Sequence, residues 1–496
     1  MIPVYYDEAK KVWKKADENN AEKQWYDYDA KKWANIVTVS NENATLREAE
    51  VGTEIPIEDI TTFFVWIPRY AYSITSGYKQ GNGATGKIEI TFLKGNTNTG
   101  VNGITYATDY DESNLQAGDV TPPIVQPAFS QNGMQLTGIW VAKFEASGIN
   151  NDGIVAGNAS STSTTPSSAE GAYVRILPSQ ISWRHITIGE SQYQSTLMSN
   201  NTEKYGWTGV NSHLIKNSEW GAVAYLCYSN YGSIPKTNGA GSEANGIYYD
   251  IYTGAGAKAI EDEGRYENFT EEVYGYNTEL GMLASTTGNI YGIYDMAGGA
   301  NERVATYFDN GNDNLNQYGY STSNSNVVYF ENGKLKEEYS HLWEAYEVSA
   351  EEKNNAVVVE GEETTKTQEE LWDWNNRTLA YNRARYRLTQ TIFNLMAKHK
   401  GIGVNETATE FSYYAPYGTT SESRTWFKTV KDTTNATIGE LAQTWNEDFM
   451  LIGHILPTFV SRGDFCGSNT NAGVLYNSNT YGSEHYNGAF RPALAF

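Results

Sequence analysis

The sequence predicts an irregular α+β fold with long loops, and three observations support this class. Short segments rich in β-branched and aromatic residues, which favour strands, recur along the 496 residues of the chain. Few segments show the three-and-four spacing of apolar residues that predicts a helix. The intervening loops are rich in Asn and in Gly, of which the chain has 46. No unit of about 20 to 50 residues recurs, so a solenoid or propeller is excluded.

The elements of the central part follow from these patterns. Apolar or alternating residues predict strands over 63–74, 87–93 and 138–147. Loops and exposed low-complexity segments are predicted over 94–125, 148–170 and 230–265. Residues 288–308 combine strand-forming residues with tight Gly turns. The interval 309–316, DNGNDNLN, is predicted to be a solvated loop. The oxygens of its Asn and Asp residues leave Ca²⁺ binding open as an alternative, although the interval lacks EF-hand spacing.

One helix is well defined by the sequence, over 215–229. Asn217 or Ser218 can cap its amino end. Trp220, Val223, Ala224 and Cys227 share one face and predict that the helix packs on a sheet.

Two further regions read as additions to the central part. Residues 1–50 predict a small aromatic-rich β module that is too small to be stable alone and docks on something larger. Residues 309–450 predict an insertion, with an acidic solvated segment over 331–366 and one long helix over 367–400. The apolar stripe of that helix packs on its own domain or makes a subunit contact near a symmetry axis, which leaves a homotrimer open.

Composition excludes several classes of partner. A net charge of −23 argues against nucleic acid and against an electrostatic membrane anchor, since both need a basic surface. No stretch of about 18 apolar residues is present to span a bilayer. The amino terminus lacks the apolar core of a secretory signal, so we expect release by lysis, assembly into a particle, or a route not visible in the sequence. The 37 Tyr and 13 Trp supply enough apolar area for a core.

Recognised catalytic signatures are missing from the sequence. There is no nucleophile elbow, HExxH motif, P-loop or dinucleotide-binding fingerprint. The six histidines have no second ligand at metal spacing. The two cysteines are too few for a disulfide scaffold, and we expect free thiols. We therefore expect no catalytic residues, no bound metal and no cofactor, with Ca²⁺ left open.

The carboxyl-terminal segment 461–496 has the composition of a binding surface. Small residues and arginines at 462–463, 472–473 and 490–492 bracket a run of Asn, Ser, Thr, Tyr, His and Cys. Tyr gives contact area at low entropic cost, and Ser, Gly and Asn give adaptable hydrogen bonds. The alternative is an inert polar hairpin.

Five phrases in a fixed order resemble a known family. They are VWIPRYAYSI (65–74), IWVAKFEAS (139–147), IKNSEWGAVAYL (215–226), GIYDMAGGANERVA (292–305) and the terminal SRGD…AGV…FRPAL. Together they resemble the formylglycine-generating-enzyme (sulfatase-modifying factor) type of the C-type lectin fold, over residues 60–308 and 450–496. The resemblance implies a lectin-like domain split into 55–308 and 451–496.

The residues of these phrases predict scaffold roles that agree with the resemblance. Trp220 would anchor its helix on the sheet, and Asp295 with two glycines would make a turn that lets Asn301 and Glu302 hold loop backbone. Arg491 would be a partly buried fork satisfied by carbonyls or a carboxylate. The remaining scaffold residues implied are Arg462, Gly463, Ala472, Gly473 and Phe490.

Two branches of that family imply different functions. The enzyme branch implies oxidation of a substrate cysteine by a close Cys pair and copper, but only Cys466 lies near the terminal motif while Cys227 lies on the 215–229 helix. The tail is more similar to the variable proteins of diversity-generating retroelements, whose mutated codons yield Asn, Ser, Tyr, Asp, Thr, His, Phe, Cys and Gly. Asp464 and Ala489 depart from that pattern, since each stands where Gly is expected.

The sequence therefore predicts a receptor-binding protein, not an enzyme, with a variable region over 462–492. It predicts display on a phage virion tail, or otherwise an extracellular or cell-surface location, with attachment to a tail component through residues 1–50. The alternative is a bacterial surface adhesin or lectin-like module, and the formylglycine-generating oxidase is the third hypothesis. The predicted partner is a protein or glycan of the host cell surface. The predicted contact residues are Asp464, Phe465, Cys466, Asn469, Asn471, Tyr476, Asn477, Asn479, Tyr481, His485, Tyr486 and Asn487.

Overall fold

A computed structural model describes most of the chain outside the 234–274 and 348–457 regions. The described residues are 1–76, 87–111, 114–116, 118–131, 133–149, 155–156, 171–233, 275–309, 313–347, 412–414, 427–429, 450–451, 458–463, 473–485 and 487–495. The predicted helix over 367–400 and the acidic residues beyond 347 lie outside them.

Strands dominate the described part of the chain, and helices are few and short. In chain order the strands are β1 (Ile2–Asp7), β2 (Val12–Lys15), β3 (Asn35–Val39), β4 (Ile60–Pro68), β5 (Tyr70–Ser76), β6 (Lys87–Phe92), β7 (Ile124–Val125), β8 (Ser130–Gln131), β9 (Met134–Gln135), β10 (Gly138–Ala142), β11 (Ser147–Ile149), β12 (Val155–Ala156), β13 (Tyr173–Arg175), β14 (Asn211–Leu214), β15 (Asn301–Asp309), β16 (Phe330–Glu331), β17 (Lys334–Leu335), β18 (Glu344–Glu347), β19 (Ser412–Tyr414), β20 (Phe427–Thr429), β21 (Met450–Leu451), β22 (Phe459–Gly463), β23 (Gly473–Thr480), β24 (Gly488–Phe490) and β25 (Pro492–Ala495). The α-helices are α1 (Ile188–Leu197), α2 (Thr202–Tyr205), α3 (Asn217–Cys227) and α4 (Asn314–Tyr318). This mixture is consistent with the predicted α+β class.

The first sheet has seven strands in the order β14-β25-β10-β4-β3-β1-β2. Its third strand, β10, is buried on both faces, and its successive residues point to opposite sides of the sheet. Ile139 and Val141 join the core that contains α3, whereas Trp140 and Ala142 join a second core on the other face. The sheet is thus the layer between two hydrophobic cores.

Residues 1–50 are part of this sheet. β3 pairs antiparallel with β4, and β1 pairs with both β3 and β2. The buried side chains of these strands, such as Val4 and Trp13, belong to the second core. The larger body on which the predicted module docks is therefore the rest of its own chain.

The strand predicted over 63–74 is two strands. β4 ends at Pro68 and β5 begins at Tyr70, because proline has no N–H with which to continue a ladder. β6 matches the strand predicted over 87–93, and β10 and β11 divide the one predicted over 138–147.

The second sheet carries the carboxyl-terminal strands. Its order is β18-β15-β22-β23-β21, and β24 also pairs with β15. β15 runs antiparallel to β22 and parallel to β24, so it receives both ends of the tail segment. Because β25 then crosses to the first sheet, the last residues of the described chain connect the two sheets.

The interval 309–450 does not begin as a separate insertion. β18 pairs parallel with β15, and Trp343 and Leu342 are buried in the second core. Trp343 packs against Phe330 and Phe459, with ring centroids 5.1 Å and 5.8 Å away. Within the described part of the segment predicted to be solvated, Leu342 and Trp343 are thus buried in the core, whereas Glu331, Glu337 and Glu338 are exposed.

Helix α3 confirms the helix predicted over 215–229, but its cap differs. The N-cap is Lys216, not Asn217 or Ser218, and its backbone N–H donates to Glu219 Oε2 at 2.8 Å. Every residue of the helix is buried, so the predicted single apolar face underestimates its burial.

Candidate ligand-binding site

The residues that bracket the carboxyl-terminal segment 461–496, here called the tail segment, lie mainly in the second sheet. Arg462 stacks on Trp220, with the guanidinium carbon 5.6 Å from the ring centroid, and donates to Asn217 Oδ1 and Val474 O at 3.1 Å each. Trp220 donates its indole N–H to Val474 O at 2.8 Å. These contacts join α3 to β22 and β23, and Trp220 thereby anchors its helix on the second sheet.

Glycine is required at the end of β22. Gly463 has φ +80, and an added Cβ would lie 3.3 Å from Met296 O and from the Trp220 ring. Gly463 pairs with Gly473, so the interval 464–472 begins and ends at adjacent positions of neighbouring strands. The predicted contact residues Asp464, Phe465, Cys466, Asn469 and Asn471, and the scaffold residue Ala472, lie in this interval, outside the described residues.

The remaining predicted contact residues divide into exposed and buried groups. Tyr481 is 43% exposed, and His485 is also exposed. Tyr476 and Asn487 are only 5% and 8% exposed, so their side chains belong to the interior and not to the surface. The backbones of Asn477 and Asn479 lie in β23, and Tyr486 lies outside the described residues.

Arg491 is completely buried and fully satisfied. Its guanidinium pairs with Glu302, at 2.5 Å from Nη2 to Oε1 and 3.0 Å from Nε to Oε2. It also donates to Ala142 O at 2.8 Å and Tyr294 O at 2.9 Å. The predicted fork is therefore confirmed, with both a carboxylate and carbonyls as acceptors. Next to it, Phe490 packs on Trp183 at a centroid distance of 5.9 Å.

The turn after Asp295 is held by a different residue from the one predicted. Asp295, Gly298 and Gly299 all have positive φ, as the predicted turn requires. Glu302 faces Arg491 and does not hold loop backbone; instead Glu145 accepts from the N–H of Ala300 at 2.7 Å. Burial, together with the charges of Glu302 and Asp295, raises the pKa of Glu145 well above its usual value.

A cavity of about 200 Å³ opens on the second sheet. Its described lining residues are Asn301, Arg303, Ser461, Ser478, Thr480, His485 and Gly488. The register explains why they meet: Arg303 pairs with Ser461, and Ser461 pairs with Ser478, which places the three in one row across β15, β22 and β23. Asn301 and Thr480 lie two residues along their strands and so share that face.

Arg303 is the charged group of this cavity. It is 2% exposed, and Nη2 donates to the carbonyl oxygen of Ser483. Within the described residues, Nε and Nη1 have no hydrogen-bond partner. Burial lowers the pKa of Arg303 to about 10, partly offset by Glu484, so the guanidinium stays cationic at neutral pH.

Two neighbours set the environment of Arg303. An added Cβ at Gly488 would lie 2.5 Å from Arg303 Nη1, so the guanidinium occupies the space of a side chain at this position and would have to shift to admit one. His485 accepts from the Asn487 N–H at Nδ1, 3.2 Å away. Burial and the positive charge of Arg303 lower the pKa of His485, which favours its neutral form at pH 7.

Sequence reasoning missed Arg303 and the serines that face it. It named Asn301 only as scaffold, and it placed binding residues only within 464–487. The available signal was the pair Glu302-Arg303 inside an otherwise apolar strand, since adjacent charges in a strand point to opposite faces. Ser461 and Ser478 carry no signal of their own, because their position opposite Arg303 depends on strand register.

No group of three or more His, Cys, Asp or Glu side chains in the described part of the chain has the geometry to hold a metal ion. No helix of the described residues is long and apolar enough to cross a membrane. Cys227 is buried in α3, and Cys466 lies outside the described residues.

Comparison with known proteins adds no assignment. No protein-family model matches the chain, and no curated protein matches it.

Proposed function

We propose that the protein binds a host-surface ligand through the tail segment and cavity of the second sheet, on a scaffold of the formylglycine-generating-enzyme type of the C-type lectin fold. The observation that carries this proposal is the cavity itself. Ser478, Thr480 and His485 come from the predicted variable region, and they line the cavity together with residues of β15 and β22. A concave polar site is thus built partly from the segment whose composition predicts binding.

The construction of the platform supports a binding role. The frame residues Arg462 and Arg491 are fully buried, whereas Tyr481 and His485 between them are exposed. Tyr481 and His485 follow the end of β23, where the N–H groups of Ile188 and His185 donate to the carbonyl oxygens of Gly482 and His485. A backbone held in this way loses less conformational entropy on binding than a free loop. Tyr481 directly follows the lining residue Thr480, and an exposed tyrosine is a favourable anchor because its ring has few rotatable bonds.

We place this protein on a phage virion tail, as a variable protein of a diversity-generating retroelement. The order of the five sequence phrases and the composition of the tail support this placement. The bacterial surface adhesin is the second candidate, because the same cavity and tyrosine would serve on a cell surface. Neighbouring tail genes, or a reverse transcriptase gene with a near-copy of the codons for 461–492, would distinguish the two.

The test of the binding proposal uses a matched pair of tyrosine variants. Labelled whole protein is incubated with a panel of bacterial strains, and bound fluorescence is measured for wild type, Tyr481→Ala and Tyr26→Ala. Tyr481 and Tyr26 are similarly exposed, at 43% and 38%, but Tyr26 lies in the amino-terminal region. We expect Tyr481→Ala to weaken binding by about tenfold or more, as for an interface hot spot, and Tyr26→Ala to bind like wild type. Equal binding by both variants would contradict the proposal.

A further inference from the structure

We propose that the cavity on the second sheet binds the carboxylate of an acidic sugar, with Arg303 as its anion-binding group. This inference deepens the proposed function and rests on it. It names the ligand chemistry of the same surface, and it concerns residues that the sequence did not indicate.

Arg303 has fewer hydrogen-bond acceptors than two other buried arginines, Arg69 and Arg491. Arg69, which is 1% exposed, donates to Thr97 O, Phe129 O, Leu136 O, Asn98 Oδ1 and Gln135 Oε1 at 2.6 to 3.2 Å. Arg491 has a carboxylate and carbonyls. Arg303 has only the Ser483 carbonyl, with Nε and Nη1 left without acceptors in the described residues. A buried cation is stable only when paired, so an anion is the group that completes this site.

No described carboxylate of the chain supplies that anion. Glu484 is close enough to raise the pKa of Arg303, but no ion pair forms between them, and Glu484 is exposed. A carboxylate entering the cavity would accept charge-assisted hydrogen bonds from the free edge of the guanidinium. Gly488 leaves room for that guanidinium, since Arg303 occupies the space that a Cβ at residue 488 would fill.

The other lining residues favour a sugar as the carrier of the carboxylate. The described lining consists of amide, hydroxyl, imidazole and glycine groups beside the arginine, without an aliphatic or aromatic hydrocarbon side chain. Asn301 Oδ1 has no hydrogen-bond partner in the described residues, so it can accept from a ligand hydroxyl. A polar lining of this kind suits a ring rich in hydroxyls better than an acidic peptide, which also needs apolar contacts.

Size and charge limit the ligand further. At about 200 Å³ the cavity is smaller than the sites of drug-sized ligands, which begin at about 300 Å³, so it accommodates one sugar ring. The net charge of −23 repels extended polyanions. Recognition therefore depends on one carboxylate at short range, and we expect affinity to change little with salt concentration.

The experiment measures binding of small probes by the whole chain. Glucuronic acid, glucose and N-acetylglutamate are titrated against wild type, Arg303→Met and Lys94→Met, with ligand-observed NMR as the readout. Lys94 is an exposed cation outside the cavity, so Lys94→Met removes the same charge elsewhere. We expect glucuronic acid to bind wild type and Lys94→Met with the same affinity. We expect it to bind Arg303→Met at least about tenfold more weakly. A further variant, Gly488→Ala, is expected to show the same loss.

Each other outcome would overturn the inference. Equal affinity for glucose and glucuronic acid would show that the cavity does not recognise a carboxylate. Stronger binding of N-acetylglutamate than of glucuronic acid would indicate an acidic peptide as the ligand. If wild type that is folded by circular dichroism does not bind glucuronic acid, the proposed carboxylate site is wrong.

The strain-binding assay separates this inference from the proposed function. If Tyr481→Ala loses cell binding while Arg303→Met keeps it, the surface binds a ligand but the carboxylate site is wrong. If neither variant changes cell binding, the proposed function itself fails. Loss of cell binding in both variants supports both.

Discussion

The two faces of β15 treat charge in opposite ways. Glu302 points to the junction between the sheets, where Arg491 neutralises it with contacts of 2.5 to 3.2 Å. Its neighbour Arg303 points to the cavity, where two of its nitrogens have no acceptor in the described residues. Both side chains are buried, at 0% and 2% exposure. On the first face the charges pair with each other and stabilise the fold. On the second face the charge of Arg303 is available to a ligand that enters the cavity.

The difference points to the cavity face of β15 as the candidate site. Buried polar groups in native proteins are nearly always satisfied, so an unsatisfied cation beside a cavity needs an explanation. The junction needs none, since Glu145 and Glu302 have named donors. Functional sites often retain groups that reduce stability, and the cavity face of β15 has this character.

The largest effect on stability is expected from removal of the buried Arg491–Glu302 pair. Arg491→Met leaves Glu302 without its cation, close to Glu145, whose pKa burial and the charges of Glu302 and Asp295 already raise. We expect the free energy of unfolding to fall by about 3 to 5 kcal/mol, as when one partner of a buried pair is removed. Urea unfolding followed by tryptophan fluorescence measures it. A loss below about 1 kcal/mol would show that the junction does not depend on this pair.

A second buried pair gives a pH-dependent effect of intermediate size. Glu219 accepts from His213 Nε2 at 2.9 Å. Burial alone would raise the pKa of Glu219, but His213 and Lys216 outweigh it and hold the value at about 2. Because the folded pKa lies below the usual 4.5, this carboxylate contributes stability above about pH 4.5 that is lost as the pH falls toward 2.

Glu219→Gln tests that window. Unfolding free energies are measured between pH 6 and pH 2.5 for wild type and variant. We expect wild type to lose about 3 kcal/mol more than the variant over this range. Parallel curves for the two proteins would contradict the assignment of the low pKa.

The smallest effect on stability is expected at the cavity face of β15. Arg303→Met removes a buried cation that has one recorded hydrogen bond, and it leaves no carboxylate unpaired in the described residues. We expect the free energy of unfolding to rise, or to stay within about 1 kcal/mol of wild type. Thermal unfolding of Arg303→Met beside Arg491→Met gives the contrast directly. A loss as large as that of Arg491→Met would mean that Arg303 is structural.

Several parts of the structure followed from local patterns. Helix α3 and strands β6 and β10 lie where apolar spacing predicted them, since periodicity is a property of consecutive residues. The positive φ at Asp295, Gly298 and Gly299 matches the predicted turn. The burial of Arg491 was also predicted, although only in part.

Other predictions failed because they concerned contacts between distant segments. The strands of residues 1–50 read as a separate module because nothing in their own pattern specifies the pairing of β3 with β4. Trp343 and Leu342 read as part of a solvated segment because acidic neighbours surround them, yet β18 pairs with β15. Tyr476 and Asn487 read as contact residues by composition, whereas strand position buries them.

The carboxyl-terminal segment shows the same division most clearly. Its composition and its bracketing arginines and glycines were enough to mark it as a framed, polar surface, because residue type and spacing are written in the chain itself. Only the folded chain could decide that Arg462 stacks on Trp220, that Arg491 pairs with Glu302 across 189 residues, and that Arg303 lies opposite Ser461 and Ser478. Those contacts depend on strand order and register, and both are set by burial of the whole core rather than by any local pattern.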